Sequence, residues 1–258
     1  MTGLRLTWWG HATVGIELAG LTVLTDPVLT SRVAFLHRHA ATPPPAAAEA
    51  DVVLLSHLHG DHLHRPSLRR LPEHARIIAP RGAGRLLSGL AARVEEVLPG
   101  EQVQLGELSL TAVHAEHDDR RHPWSPHSGP ALGFVLADGV QRLWFAGDTG
   151  LFDGMAALGP VDAALIPVGG WGPTLGPHHL DPAQAAAAAH RVRARHAVPI
   201  HFGTLWPTGL RPLAPGLFRA KCRAPGREFV SALAGTGVTV HLLNPGESTE
   251  ITAAEPGP

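Results

Sequence analysis

Cysteine and lysine are nearly missing from this sequence: among 258 residues stand one cysteine, Cys222, and one lysine, Lys221. A single thiol excludes an internal disulfide framework. Without a Cys-x-x-Cys partner it also excludes a redox pair or structural zinc site of that type, and a reducing cytoplasm is the expected setting. The sequence also lacks any run of about 18 uncharged apolar residues. Its opening, "MTGLRLTWWGHATVG", has no basic region followed by an apolar stretch and a small-residue cleavage site. The expectation is a soluble, cytoplasmic protein that neither spans a membrane nor is exported. An excess of charge of one sign is lacking too: Lys+Arg is 21 and Asp+Glu 22. No global field therefore points to nucleic acid or an anionic membrane as partner. The preference for arginine over lysine, with abundant Ala, Pro and Gly, reflects a GC-rich coding sequence more than a function. What the chain has in excess is histidine, 18 residues, and they are clustered.

At this length the chain can bury roughly three-quarters of its unfolded surface. Strand-like alternation opens it in "RLTWW", "TVGIEL" and "LTVLTD", the last two joined as a hairpin across Ala19-Gly20. The Pro-rich "ATPPPAAAEA" (41–50) reads as a surface loop, because strand patterns resume at once with "DVVLLS". A strand "ARIIAP", a helix "GAGRLLSGLAA" and strands "VEEVL" and "LSLTAV" follow, and residues 114–130 read as a polar loop. The second half predicts a hairpin turning at Asp138-Gly139, a short helix "LFDGMAAL", the strand "DAALIPV" and a Gly/Pro loop. A helix "DPAQAAAAAHRVRAR", capped by Asp181 with Pro182 at its first position, then leads to the strand "AVPIHFG". No fixed-period repeat is present. The pattern predicts one α/β domain over 1–258, with two sheets face to face and helices outside.

The stretch "SHLHGDHLH" (56–64) crowds four imidazoles and one carboxylate directly after an apolar strand. Gly60 interrupts it, and His57 and His59 are spaced by two, as at an extended strand end, so this is a loop site and not a helical zinc motif. His57 and His59 can face one ion while Asp61 and His62 face a second. Neutral imidazole and carboxylate are ligand types that zinc takes, and the two ions of a dinuclear site lie about 3.5–4 Å apart. The alternative, a chance His-rich solvated loop, fits poorly with the burial expected after an apolar strand. More His and Asp residues stand just beyond later strands, in "AVHAEHDDRRH" (112–122), "FAGDTG" (145–150) and "VPIHFGT" (198–204).

With these segments the sequence resembles the metallo-β-lactamase superfamily, whose signature is His-x-His-x-Asp-His followed by His, Asp and His in that order. "TWWGHATVGIEL", "LTDP", "DVVLLSHLHGDHL", "FAGDTG", "HLDPAQA" and "PIHFGT" are similar to the branch that includes N-acyl-phosphatidylethanolamine phospholipase D and L-ascorbate-6-phosphate lactonase. The resemblance implies a four-layer αββα sandwich. It also implies that His57, His59 and His117 hold a first metal, that Asp61, His62 and His201 hold a second, and that Asp148 bridges. His114 and His122 compete with His117, which is preferred because "VHAEHDDRR" follows the branch's Pro-Ala-x-His pattern, with His114 where proline is usual. The implied cofactors are two divalent ions, zinc first, with manganese or iron accepted by the same ligands.

Such a site would use a metal-bound hydroxide to hydrolyse a phosphodiester or a lactone/ester small molecule, the phosphodiester ahead. The alternatives are a lactonase of phosphorylated sugar or acyl-homoserine lactones, and a non-hydrolytic metal-binding protein. Asp61 and His179 are the candidate catalytic side chains, His179 as a substrate-binding residue or acid for the leaving group. Asp26 reads either as an acceptor that orients a ligand imidazole or as a capping residue before Pro27. His11 reads as structural, holding the turn under the site. Two positions depart from the branch: Gly60 replaces an aromatic residue and His64 an acid, so the pocket floor is altered. Arg120, Arg121, Lys221 and Arg223 are candidates for a rim suited to an anionic substrate. Segment 205–226 is a candidate lid or rim, with Trp206 or Phe218 as an apolar wall, or else a contact between copies in a homo-oligomer; Trp171 and Trp124 are open to the same two readings. No nucleic-acid partner is expected.

Overall fold

Period-two alternation decides how the strands stack. The structure is a computed structural model that describes residues 3–253. Its first half comprises β1 (Leu4–Gly10), β2 (Thr13–Leu18), β3 (Leu21–Thr25), β4 (Arg32–Val33), β5 (Leu36–Arg38), β6 (Val52–Leu54), α1 (Arg65–Leu68), β7 (Arg76–Pro80), α2 (Gly84–Leu87) and β8 (Arg93–Val97). The second half comprises β9 (Gln102–Leu105), β10 (Leu108–His114), β11 (Leu132–Ala137), β12 (Arg142–Phe145), β13 (Val161–Pro167), α3 (Pro182–Arg191), β14 (Ala194–Ile200), β15 (Leu205–Pro207), α4 (Leu210–Leu213), α5 (Pro215–Phe218), α6 (Pro225–Ala232), β16 (Thr239–Val240) and β17 (Ser248–Ile251). One seven-stranded sheet has the order β17-β1-β2-β3-β6-β7-β8, the other β16-β14-β13-β12-β11-β10-β9, and β15-β5-β4 form a small third sheet.

The inner faces of the two large sheets share one core. From the first sheet come Leu6, Ile16, Val23, Leu54 and Ile78, from the second Leu110, Phe134, Leu136 and Phe145. The intervening residues Leu24, Val53, Ile77 and Ala79 face the other way, onto Leu63, Leu68 and Leu87. On the outer face of the second sheet, α3 buries Ala185, Ala186, Ala188 and Ala189, whose small side chains let the helix lie close to β13 and β14. This is the metallo-β-lactamase-type sandwich of four layers. Its helical layer over the first sheet is thin, because α1 and α2 are single turns.

Local chemistry explains the connections. Ala19 and Gly20, at φ 53° and 74°, turn β2 into β3 with Leu18 opposite Leu21, the left-handed pair that a tight hairpin requires. Asp181 accepts from the Gln184 amide and Gln184 answers through its side chain, a complete capping box at α3. The helix expected over "GAGRLLSGLAA" is shortened to α2, with Gly89 in the left-handed region just after it. "LFDGMAAL" forms a 3-10 turn at Asp153–Ala157 rather than an α-helix. Among the described residues no helix is long and apolar enough to cross a membrane.

The segment 205–226 departs most from expectation. β15 pairs with β5, and Trp206 and Phe218 turn inward on each other and on Cys222, with the Arg211 and Arg223 guanidiniums over the Phe218 ring. Neither aromatic lines the clefts at the histidine cluster. The apolar wall there comes from Phe35 and Trp171, which meet edge to face at 5.4 Å.

Candidate metal centre

Parallel pairing brings the candidate residues to one edge. β3 and β6 run parallel, as do β12, β13 and β14, so the loops after their carboxyl ends open on the same side. Asp26 follows β3, residues 57–62 follow β6, Asp148 follows β12, Gly169 follows β13 and His201 follows β14. The backbone is held tightly there. Asp26, His11 and His201 all have positive φ (33°, 53° and 61°), an unfavourable state for residues with side chains that clusters at functional sites. Before Asp148, a Cβ on Gly147 would lie 2.6 Å from the Leu132 carbonyl, so only glycine lets the chain pass.

Two groups of donors converge. In the first, His59 Nδ1 lies 2.9 Å from His57 Nε2 and 3.2 Å from His117 Nε2. In the second, His62 Nε2 and His201 Nε2 are 3.1 Å apart, and each lies 3.2 Å from Asp148 Oδ2. Asp61 Oδ2 lies 3.6 and 3.8 Å from the same two nitrogens. Ligands about 2.0–2.1 Å from a tetrahedral zinc ion are themselves roughly 3.3 Å apart, so both groups have nearly the required spacing. Among the described residues Asp148 Oδ1 is buried and has no hydrogen-bond partner, as expected of a carboxylate that reserves its second oxygen for a cation.

The other ring nitrogens explain the orientations. His62 Nδ1 donates to Asp26 Oδ2 (2.6 Å), His57 Nδ1 to Ser56 Oγ (2.9 Å), His201 Nδ1 to the Gly169 carbonyl (2.9 Å) and His117 Nδ1 to the His178 carbonyl (2.9 Å). Ser56 in turn donates its hydroxyl and its backbone N–H to Asp26. Each of these four imidazoles therefore presents an Nε2 lone pair inward, the arrangement that metal-ligating histidines adopt. Asp26 orients His62 directly and His57 through Ser56. The orienting role raised for Asp26 matches this geometry; the capping alternative finds no support in it. Asp26→Asn is expected to weaken metal binding ten- to a hundredfold, which a competition titration with a chromophoric chelator would measure.

The electrostatics suit a cation. Burial disfavours a charged His62, yet Asp148, Asp26 and Asp61 raise its pKa well above the usual histidine range; three carboxylates create a demand for positive charge at that point. Burial likewise opposes charge on Asp61 and Asp148, but surrounding imidazoles hold both well below the usual carboxylate range. His57 is pushed well down by burial and by neighbouring His62, His117 and His59, which leaves it a neutral ligand.

His117 joins the cluster. His114 does not: it is exposed and lies 3.3 Å from Glu116, while His122 lines an adjacent cleft. His179 lies 3.6 Å from Asp148 Oδ2, beside the Gly170–Gly176 loop. His11 is nearer the chemistry than a purely structural residue. Its Nε2 donates to Asp61 Oδ2 at 2.9 Å, and burial with the neighbouring His201 pushes its pKa down to about 3, keeping the ring neutral. Its backbone also holds the turn, donating to Thr204 Oγ1 and accepting from the Trp8 indole and the His201 N–H.

His64 Nδ1 is turned towards Ser67 in the first turn of α1. Its Nδ1 accepts from Ser67 Oγ (2.8 Å), and the same oxygen accepts from the Leu29 N–H. Burial, with Arg121 nearby, pushes its pKa down to about 4 from an ordinary 6.5. The unfolded chain binds the proton first, so this group's contribution is full above pH 6.5 and is lost as pH falls towards 4. In metal-free protein the stability difference between wild type and His64→Asn should fall by up to about 3 kcal/mol over that interval. Urea denaturation at pH 7 and pH 4 measures it; a pH-independent difference would contradict a neutral, buried His64.

The chain matches the family model described as the Beta-lactamase superfamily domain over residues 22–202, and it belongs to that superfamily. Among its relatives is a UPF0173 metal-dependent hydrolase of Opitutus terrae, 31% identical over 254 residues, covering 96% of this chain and 100% of the relative. N-acyl-phosphatidylethanolamine-hydrolyzing phospholipase D 1 of Caenorhabditis elegans is 31% identical over 235 residues, covering 81% of this chain and 66% of that protein. The fold is shared with Igni18, a metallo hydrolase from the archaeon Ignicoccus hospitalis, at a TM-score of 0.75 and 22% identity over 98% of this chain and 100% of that one.

Proposed function

We propose that this protein is a dinuclear metal-dependent hydrolase that cleaves a phosphodiester in a small molecule. The observation that carries the reading is Asp148, whose Oδ2 lies 3.2 Å from both His62 and His201 while its buried Oδ1 has no partner among the described residues. His57, His59 and His117 would hold one ion, Asp61, His62 and His201 the other, and Asp148 would reach both. When bound, such ions act as Lewis acids on a substrate oxygen and lower the pKa of a shared water towards about 7.

The chain's own residues do the rest. Asp26, through Ser56 and His62, fixes the imidazoles, so little reorganisation is needed when substrate arrives. Asp61, held by His11, is positioned to accept a proton from the attacking water. His179 would return one to the leaving oxygen: burial opposes its charge, but Asp148 raises its pKa above the ordinary value, the direction that favours a proton donor. Preference for a phosphodiester over a lactone is supported by the phospholipase D relative and by the suitability of two ions for in-line displacement at phosphorus.

A substrate panel with zinc-loaded protein tests the choice. Turnover of bis(p-nitrophenyl) phosphate well above that of acyl-homoserine lactones and phosphorylated sugar lactones is expected, and it should vanish in Asp148→Ala. Lactone turnover exceeding diester turnover would overturn it.

A further inference from the structure

Two clefts meet at the candidate centre. One, of about 290 Å³, runs beneath the Gly170–Gly176 loop to His179. The other, of about 350 Å³, is walled by the β4–β5 turn with Phe35, by Trp171 and by Pro123, and also reaches His59 and Asp61. This second cleft is apolar except for Arg121 and His122 on one side and the candidate ligands at its base.

Arg121 is placed by construction. Residues 119–129 fold back on themselves, with Arg121 N–H donating to the His127 carbonyl and Gly129 N–H to the Asp119 carbonyl. The guanidinium then reaches the ligand loop, where Nη1 donates to the Leu58 carbonyl at 2.7 Å and to Leu63 at 3.4 Å. Nη2 is turned towards Gly60: a Cβ at that position would stand 3.8 Å from it. The glycine that replaces the branch's aromatic residue leaves this guanidinium uncovered. Arg121 forms no ion pair among the described residues, and the carboxylate acting on it, Asp61, is already bound by His11. A half-buried guanidinium with free donors in an apolar cleft is suited to an oxyanion, which it can bind through two parallel N–H bonds.

We propose that Arg121 is a specificity-determining residue that binds a second anionic group of the substrate, a carboxylate or phosphate separate from the scissile bond and joined to it by an apolar segment lying on Phe35 and Trp171. The inference rests on the hydrolase reading and names the substrate class: amphiphilic diesters with an added oxyanion.

The test compares p-nitrophenyl 3-carboxyphenyl phosphate with p-nitrophenyl phenyl phosphate. In the wild type the carboxylated diester should have a kcat/KM about tenfold higher or more. That ratio should fall to about one in Arg121→Gln, and also in Gly60→Phe, which covers the guanidinium without removing it. Arg121→Lys should retain part of the preference. Calorimetry with zinc-loaded protein supplies a readout independent of turnover: 3-phenylpropanoate and phenyl phosphate, titrated separately, should each bind about tenfold more weakly to Arg121→Gln, and whichever loses more identifies the oxyanion. If the wild type cleaves neither diester but 3-phenylpropanoate binding still depends on Arg121, the phosphodiester reading fails and the anion site stands. A carboxylate preference, or affinity for both anions, unchanged in Arg121→Gln would overturn the anion site.

Discussion

Replacing Asp148 with alanine is expected to lower kcat/KM for any hydrolysed substrate about a thousandfold or more. Asp148 Oδ2 lies 3.2 Å from both His62 and His201, and Oδ1 is buried with no partner among the described residues. A cation acting on a reacting oxygen is worth several kcal/mol, and a thousandfold in rate is about 4 kcal/mol. The substitution also removes a principal source of negative potential acting on His62, so a fall in metal affinity should accompany the loss of rate. Steady-state kinetics at saturating zinc measures the first effect. A reduction of only a few-fold, in protein with an unchanged melting profile, would remove Asp148 from the centre.

The second large effect concerns His179. If it protonates the leaving oxygen, His179→Ala should reduce kcat by about a hundredfold for a diester with an alkyl leaving group. With p-nitrophenolate, which departs without a proton, the reduction should stay within a few-fold. The alkaline side of the pH profile follows from the raised pKa: the protonated form is lost as pH rises through the folded-state value. The alkaline limb of kcat should therefore disappear in the variant with the alkyl substrate. Equal losses with both leaving groups would assign His179 to binding instead of proton transfer.

Much of the fold was legible because apolar alternation reports burial directly. The hairpins at Ala19-Gly20 and Asp138-Gly139 and the Asp181-Pro182 cap are local chemistry, and they occur where that chemistry places them. The candidate ligands were legible for a different reason: each follows an apolar strand, and for all but His117, which follows the antiparallel β10, parallel pairing gathers the strand ends. What stayed hidden depends on contacts between distant segments. "LTDP" alone leaves Asp26 equally a cap or an orienting acceptor, and the decision comes from Ser56 and His62, 30 and 36 residues away. His11 was placed under the site as a turn residue; that its ring meets Asp61 is fixed by the β1–β2 bend and not by its neighbours in sequence. Trp206 and Phe218 carried a sound hydrophobic signal with the wrong partner, since β15 pairs with β5 and draws both into a satellite core. Phe35, 59% exposed and at the cleft, has no sequence signal beyond its position in a short turn. For His64, too, the contact is one its sequence neighbours do not announce: its Nδ1 meets Ser67 Oγ.

The central claim is that one chain holds two metal ions through seven side chains. Titration of zinc into metal-stripped protein, followed by calorimetry with elemental analysis of the product, tests it most directly. The expected result is two equivalents per chain in the wild type, with at least one lost or greatly weakened in Asp148→Ala. A folded wild-type protein that takes up one equivalent or none would contradict the account.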